Sequence, residues 1–294
     1  MIIVWHFNYN SLVNNIISLH YNMITIEKIN NKVVKPVKLN KTENKDIKGG
    51  DIAGLYANIF ICARKMSGKT SLINTLLKQF IVKDTEVIIF ASTVEIDPTW
   101  KQIVKSLEKK GNNVITYPNI VDDGINQVAE LTNYLQEGTD SDSEPEVETT
   151  HEYNEQVGGY QIVTKEMKKK KKPKLIGPEY IIVFDDLSTQ LRDPAIDYLL
   201  KRNRHMKMKT IISSQFFHDL SPSSRTQIDI LIIFGKMPIT KLKYIHKEAD
   251  LPVDLDVFLD IYVDATAEPY NFLMINTRTG EMRKNLNMAY QIKS

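Results

Sequence analysis

The sequence of 294 residues predicts an α/β fold with a mostly parallel central sheet flanked by helices. Short apolar runs alternate along the chain with segments whose apolar residues recur at helical spacing. The strands are apolar throughout, which is typical of parallel strands buried on both faces. With 42% hydrophobic residues, a chain of this length can bury one large core.

The predicted elements begin with an apolar run at 59–62, which is followed by a helix. The predicted strands are 59–62, 85–93, 113–117, 180–187, 210–215 and 229–235, and a strand and turn follow at 270–285. The predicted helices are 71–80, 101–110, 126–136 and 194–205. The strand at 180–187 is short, apolar and rich in β-branched residues, so it is the clearest of the set.

Three regions are predicted along the chain. Residues 1–22 form an N-terminal extension that has no Lys or Arg and contains Asn and His among its apolar residues. It is a poor secretory signal and too polar to span a bilayer, so a soluble protein without a membrane partner is expected. Residues 23–56 are expected to form a β lead-in or arm, and 57–294 form the main domain.

The main domain contains a charged segment at about 137–177. It is acidic and rich in Ser and Pro at 137–148 and strongly basic at 165–174. One interpretation is a disordered surface insertion, because neither half can bury enough apolar area to offset its ordering entropy. The other is a lysine arm that contacts nucleic-acid phosphates without reading sequence.

Net charge and cysteine content limit which classes of function the sequence can have. The formal net charge is +2, so no global basic field indicates nucleic acid, and any DNA contact must be local. The single cysteine, Cys62, cannot form an internal disulfide and has no Cys/His metal spacing around it. This pattern suits a reducing compartment.

The most informative motif is ANIFICARKMSGKT at 57–70, a buried strand that runs into a loop ending in Gly-Lys-Thr. A strand, loop and helix in that order predict a phosphate-binding loop (P-loop), whose backbone N–H groups surround the phosphates of ATP. Lys69 is expected to reach the β- and γ-phosphate oxygens, and Thr70 to ligate Mg²⁺. The predicted nucleotide-binding residues are Ala63, Arg64, Lys65, Met66, Ser67, Gly68, Lys69, Thr70 and Ser71. Ala63 stands where the usual spacing has glycine, which alanine can replace if φ there is negative.

Acidic and amide side chains end the later strands. Asp185 lies near the end of the predicted strand at 180–187 and is expected to orient Mg²⁺ and its waters. Asp186 is expected to polarise the attacking water, although many such enzymes use the longer Glu. Gln215 ends the next strand, where ligands bind at the carboxyl edge, and is expected to contact the γ-phosphate or the water.

An arginine that neutralises transition-state charge, often from a neighbouring subunit, is harder to assign. The candidates are Arg202, Arg204 and Arg225, and a solvated surface arginine is the alternative for each.

Together these segments resemble the viral DNA-packaging ATPases of the FtsK–HerA superfamily, the type found in poxviruses, other large DNA viruses and virophages. The resemblance covers about 57–285. Its motifs are ARKMSGKTSLI (63–73), IIFAST (88–93) followed by Asp97, Pro98 and Trp100, VFDD (183–186), KRNRHMKMKTIISSQ (201–215), SSRTQIDILIIFG (223–235) and YNFLMINTRTGEMRKN (270–285). The Arg-His pair before a strand ending in Gln is the most discriminating, with Asn203 where the family usually has glycine.

The resemblance implies a RecA-like (ASCE) P-loop NTPase that hydrolyses ATP with Mg²⁺ to drive double-stranded DNA into a preformed capsid. It implies a ring of identical subunits, capsid or portal-vertex partners, and action in the host cytoplasm (the virus factory) or association with the virion. Arg225 matches an arginine after the Gln strand and is the first choice for the finger. Two alternatives stay open: a P-loop ATPase that moves or unwinds nucleic acid in replication or repair, and a nucleotide-binding scaffold protein without turnover.

Overall fold

The computed structural model of the chain describes residues 46–141 and 175–291. Within these residues one large sheet forms the centre of the fold. Its strands are β1 (Asn58–Cys62), β2 (Glu86–Ala91), β3 (Val114–Tyr117), β6 (Tyr180–Asp185), β7 (Met208–Ser214), β8 (Ile230–Phe234), β9 (Phe272–Asn276), β10 (Met282–Lys284) and β11 (Met288–Ala289). Two further strands, β4 (Val121–Asp122) and β5 (Ile125–Asn126), form a separate hairpin.

Helices connect most of these strands. They are α1 (Lys69–Phe80), α2 (Pro98–Glu108), α3 (Gln127–Ser141), α4 (Pro194–Lys201), α5 (Pro222–Arg225), α6 (Ile239–Glu248) and α7 (Leu255–Ala265). Short 3₁₀ turns at 188–192 and 217–219 complete the connections. No helix in the described ranges combines the length and the apolar character that crossing a bilayer requires.

The sheet order confirms the predicted architecture. The strands lie in the order β11-β10-β9-β8-β1-β7-β6-β2-β3. The six from β8 to β3 run parallel, and β9, β10 and β11 continue the sheet with antiparallel pairing. The carboxyl ends of β1, β7 and β6 are therefore adjacent at one edge of the sheet, and the predicted site residues follow these ends.

Two hydrophobic cores cover the two faces of the sheet. Side chains alternate along each strand, so Ile59 and Ile61 of β1 join the core that contains α1 and α2. Phe60 and Cys62 join the opposite core, which contains residues of α3, α4, α6 and α7. Every residue of β1, β7 and β8 is buried. Strands β1 and β8 accordingly read as nearly continuous apolar runs, whereas β7 also buries Lys209, Thr210, Ser213 and Ser214.

Several element boundaries differ from the prediction. The helix predicted at 194–205 ends at Lys201. The backbone carbonyl of Asn203 accepts a hydrogen bond from the Met208 N–H at 2.9 Å, because the chain turns there into β7. Helix α3 continues to Ser141, five residues beyond the prediction and into the stretch assigned to the charged insertion. Helices α6 and α7 were not predicted, although Leu242 and Ile245 recur at helical spacing.

Some predictions fall outside the described residues. These are the extension at 1–22, most of the β lead-in at 23–56, and the charged segment from 142 to 174. The described part of the lead-in, 46–56, forms turns and one isolated parallel bridge between Ile47 and Ile176.

A buried lysine fastens this lead-in segment to the sheet. Lys209 of β7 is fully buried, and its Nζ donates a hydrogen bond of 2.5 Å to the Gly54 carbonyl. The same ammonium lies 3.9 Å from the centre of the Phe80 ring. Burial lowers the pKa of Lys209 to about 7, and the nearby negative charge of Asp229 partly opposes this shift.

We expect Lys209 to make the stability of the fold depend on pH. Between about pH 7 and its ordinary pKa of 10.5, the unfolded chain keeps the Lys209 proton while the folded chain releases it. The free energy of unfolding should therefore rise with pH over this window. Lys209→Met lacks this contribution, so urea unfolding from about pH 7 to about pH 8.5 should show a smaller slope. Lys105→Met, at an exposed position of α2, is the control, and equal slopes in all three proteins would contradict the assignment.

Candidate nucleotide-binding site

The loop between β1 and α1 has the backbone shape of a phosphate-binding loop. Met66 and Gly68 have positive φ values of 61° and 93°, so the chain curves twice in the left-handed region before α1 begins. Consecutive N–H groups in such a curve make a concave anion site. Ala63 is fully buried, has no positive φ, and donates its N–H to the Ser214 carbonyl at 2.9 Å. Alanine is therefore accommodated where the usual pattern has glycine.

Lys69 lies between the two carboxylates that follow β6. Its Nζ is 3.3 Å from Asp185 Oδ1 and 3.2 Å from Asp186 Oδ1, and its side chain is only 12% exposed. Both contacts are ion pairs, although neither has hydrogen-bond geometry. The Ser67 hydroxyl is buried without a hydrogen-bond partner among the described residues. A cation and an unpartnered hydroxyl at the mouth of an anion-binding loop fit phosphate oxygens.

Asp185 is held in one orientation by two neutral donors. The Trp100 indole Nε1 donates to Oδ2 at 3.1 Å, and the Ser213 hydroxyl donates to Oδ1. These groups meet because Asp185 pairs with Ser213 in the β6–β7 register, which places both side chains on the face that carries α1 and α2. Asp185 is 4% exposed, so its carboxylate is a fixed and largely desolvated charge.

Asp186 turns out of the sheet toward the same lysine. It adopts a left-handed φ of 56°, and its N–H donates to the Ser213 carbonyl at 3.2 Å. An aspartate tolerates this conformation better than most residues. Its side chain is 33% exposed, in contrast to the buried Asp185. The two adjacent acids therefore face one ammonium from different environments, one rigid and one open to water.

Gln215, Thr70 and Ser71 lie around the same edge. Gln215 lines a cavity of about 590 Å³ together with Arg64–Ser67 of the loop, as expected from its position after β7. Thr70 and Ser71 occupy the first turn of α1. The structure thus places every residue predicted to bind nucleotide, and both acids, at one edge of the sheet.

The oxygen donors of Thr70 and Asp185 fit Mg²⁺, which prefers hydroxyl, carboxylate and phosphate oxygens and keeps several waters. No group of three or more His, Cys, Asp or Glu side chains with metal-binding geometry occurs in residues 46–141 and 175–291. A divalent ion at this position would therefore depend on substrate oxygens for part of its coordination, as a nucleotide-bound Mg²⁺ does.

Arg225 is engaged within its own chain, which differs from the free guanidinium expected of a finger. Its Nε and one terminal nitrogen each lie 2.9 Å from Glu248 Oε2, and Nη1 donates to the Leu220 carbonyl at 2.8 Å. The side chain is 10% exposed and lies near the Tyr244 ring of α6, on the sheet face opposite α1. Reaching a neighbouring site would require it to give up these contacts.

The Arg-His element lies at the other edge of the sheet. Arg202, Arg204 and His205 are exposed in the turn before β7 and do not approach the phosphate loop of their own chain. Arg202 stacks on Tyr198, with its guanidinium carbon 4.0 Å from the ring centre. Asn203, which stands where the resembled family has glycine, is buried and donates its side-chain amide to the Tyr56 carbonyl.

Three residues with clear positions at the site were given no role from the sequence. Trp100 and Ser213 hold Asp185, and Tyr270 packs on Gly68, where an added Cβ would lie 3.1 Å from the Tyr270 ring. Alternation along β7 could have placed Ser213 on the face of Asp185. No local signal connects Trp100 or Tyr270 to residues that are 85 and about 200 positions away.

Comparison with solved structures finds similar folds at low identity. The genome packaging NTPase B204 from Sulfolobus turreted icosahedral virus 2, in complex with ATP-gammaS, is 18% identical with a TM-score of 0.48, over 82% of this chain and 100% of B204. The DNA-packaging ATPase B204 from Sulfolobus turreted icosahedral virus gives 18% and 0.48 over 81% and 98%. The cytoplasmic domain of the Type VII secretion ATPase EccC from Thermomonospora curvata gives 13% and 0.43 over 75% and 24%.

No family model matches the chain, and no curated protein matches its sequence.

Removing the indole N–H of Trp100 should weaken any binding of Mg²⁺ by Asp185, while an aromatic ring still fills the core position. Trp100→Phe keeps an aromatic ring but deletes one of the two neutral donors to Asp185. We expect the Mg²⁺ concentration that half-saturates binding of a non-hydrolysable ATP analogue to rise about three- to ten-fold, the loss typical of one intramolecular hydrogen bond. Phe258→Leu, a buried aromatic change in the opposite core, controls for general destabilisation. An unchanged Mg²⁺ requirement in Trp100→Phe would show that Trp100 only packs.

Proposed function

We propose that this protein is a Mg²⁺-dependent ATPase that drives double-stranded DNA into a preformed viral capsid. The single observation that carries the ATPase part is the position of Lys69. A nearly buried ammonium is ion-paired with two carboxylates at 3.3 Å or less, beside a left-handed loop and a helix N-terminus. Phosphate charge, a divalent metal and an attacking water are the species that this set of groups can hold together.

The proposed mechanism assigns one task to each group. Backbone N–H groups of 66–71 bind the phosphates, and Lys69 donates to the β- and γ-phosphate oxygens. Thr70 and Asp185 would hold Mg²⁺, which would neutralise charge on the phosphates when bound. Trp100 and Ser213 keep Asp185 in the orientation that this requires.

Two residues act on the attacking water in this proposal. Asp186 is open to solvent and faces the site, so it can accept a hydrogen bond from a water aligned with the γ-phosphate. Gln215 lines the cavity beside the loop and orients the same water or the γ-phosphate. Lys69, which faces both acids, turns to the triphosphate when one is bound.

The DNA-packaging part rests on the sequence resemblance to the FtsK–HerA superfamily. Its motifs, from the loop at 63–73 to the strand and turn at 270–285, all lie within the described residues. We propose a ring of identical subunits that contacts double-stranded DNA and a capsid or portal-vertex protein, in the host cytoplasm or on the virion. An arginine of a neighbouring subunit completes the site; Arg202, Arg204 and Arg225 are the candidates, and Arg225 must first leave Glu248.

Steady-state ATP hydrolysis by the full chain, with and without linear double-stranded DNA, tests this proposal. Lys69→Ala and Asp185→Ala should each lower kcat by at least about 100-fold, because each removes charge stabilisation of the transition state. Lys105→Ala, an exposed lysine of α2, should hydrolyse ATP at the wild-type rate. Linear double-stranded DNA should raise the wild-type rate of hydrolysis several-fold. Equal rates in the wild type and all three variants would contradict the ATPase assignment.

The same assay separates the two alternatives. A replication or repair ATPase would respond fully to DNA and gain nothing further from capsid or portal components. A nucleotide-binding scaffold would bind ATP with no turnover in the wild-type protein. Neither alternative has an observation in the described fold that favours it over packaging.

A further inference from the structure

A second cavity lies beside helix α1, on the far side of the phosphate loop from Asp185. It has a volume of about 660 Å³ and is lined by Gly68, Ser71 and Thr75 of α1 and its start, by Phe234 and Phe272 of β8 and β9, and by Tyr270. Its walls are mainly aromatic and aliphatic, with hydroxyl and amide groups at the rim. We propose that this cavity binds the base and ribose of the nucleotide, and that Tyr270 is the face on which the base stacks.

The direction of the triphosphate selects this cavity, and this step rests on the proposed function. Lys69, Asp185 and Asp186 fix the position of the terminal phosphate on the side of β6 and β7. We infer that the other end of the triphosphate leaves past Ser71, toward β8 and β9, which lie on the opposite side of β1. The cavity lined by Ser71, Phe234 and Phe272 is on that side and borders α1. The cavity beside Gln215 shares Phe234 and Tyr270 but is lined by no residue of α1.

Tyr270 is held in place at a conformational cost. Its φ is 68°, a left-handed value that is unusual for a bulky residue. Its ring packs against Gly68 at the start of α1, yet the residue is 71% exposed. Because the ring is mostly exposed, its packing contributes little free energy to offset the backbone strain. Strain of this kind is typical of ligand-binding positions.

Asn285 fixes the segment that carries Tyr270. Its side-chain Oδ1 accepts from the Phe272 N–H at 3.2 Å, and its Nδ2 donates to Asn271 Oδ1 at 3.0 Å. Its own N–H donates to the Phe272 carbonyl at 2.9 Å. The turn before β9 is therefore clamped directly after Tyr270, which keeps the ring beside the loop.

Stacking explains why a tyrosine suits this position. Aromatic side chains stack on any nucleobase, and removing one such contact typically weakens binding about 5- to 100-fold. Stacking reads the face of the base and not its edge. The Thr75 hydroxyl already donates to the Ser71 carbonyl of its own helix at 3.0 Å, so its proton is not available to the edge of a base.

The test compares the affinities of two ligands that both contain a triphosphate, only one of which carries a nucleoside. Binding of a non-hydrolysable ATP analogue and of inorganic tripolyphosphate, each with Mg²⁺, is measured by calorimetry on the full chain. Tyr270→Ala should raise the Kd of the ATP analogue about 10-fold and leave that of tripolyphosphate within about two-fold. Tyr270→Phe should bind both as the wild type does. Tyr134→Ala, an exposed tyrosine of α3, is the matched control and should change neither.

Two further outcomes separate this inference from the proposed function. If the wild type binds neither ligand, the nucleotide site itself fails. If Lys69→Ala weakens both ligands but Tyr270→Ala weakens neither, or weakens both equally, the site stands and the stacking role is overturned. A change in subunit association without a change in affinity would also overturn it, and would make Tyr270 a contact between copies.

Backbone strain provides an independent check. Tyr270→Gly removes the ring and relieves the left-handed conformation. Tyr270→Gly should be at least as stable as Tyr270→Ala, because both lack the ring and glycine adopts a positive φ without strain, while the Kd of the ATP analogue rises in both. A Tyr270→Gly variant less stable than Tyr270→Ala would show that the left-handed conformation is not strained, and would contradict the inference.

Discussion

The cluster of Lys69, Asp185 and Asp186 is the interaction on which the rest of the site depends. One ammonium lies within 3.3 Å of two carboxylates that belong to a different strand, so its position requires β1 and β6 to keep a fixed separation. Strand β7, between them, sets that separation through two parallel ladders. Such a concentration of charge at a partly buried edge is tolerated where the groups are paired and held.

The scaffold holds this edge rigid from both faces. Alternating side chains of the central strands enter two separate cores, and the three strands that carry the site are fully or almost fully buried. Trp100 connects one core directly to the chemistry, because it is completely buried and donates to Asp185. On the other side of β1, Tyr270 brings an exposed ring to the same loop at the expense of a strained backbone.

The sequence predicted the parts of this arrangement that follow from local pattern. Patterns of apolar residues located β1, β2, β3, β6, β7 and β8, whereas the short hairpin strands β4 and β5 were not predicted. The loop, the acid pair and Gln215 lie at strand ends that the sheet order brings together. Contacts between distant segments could not be predicted from the sequence. The pairing of Arg225 with Glu248 and of Trp100 with Asp185 depends on how the helices lie on the sheet. Helices α6 and α7 were missed although their apolar spacing is visible, and the end of α4 was set by the contacts of Asn203 with Tyr56 and Met208.

The most direct test is an experimental structure of the chain with a non-hydrolysable ATP analogue and Mg²⁺. We expect Lys69 Nζ to lie at hydrogen-bond distance, about 3 Å, from β- and γ-phosphate oxygens. We also expect the Asp185 carboxylate to face the metal. A triphosphate bound elsewhere would contradict both expectations. So would a triphosphate in the loop that leaves Lys69 paired with Asp186 and beyond reach of the phosphates.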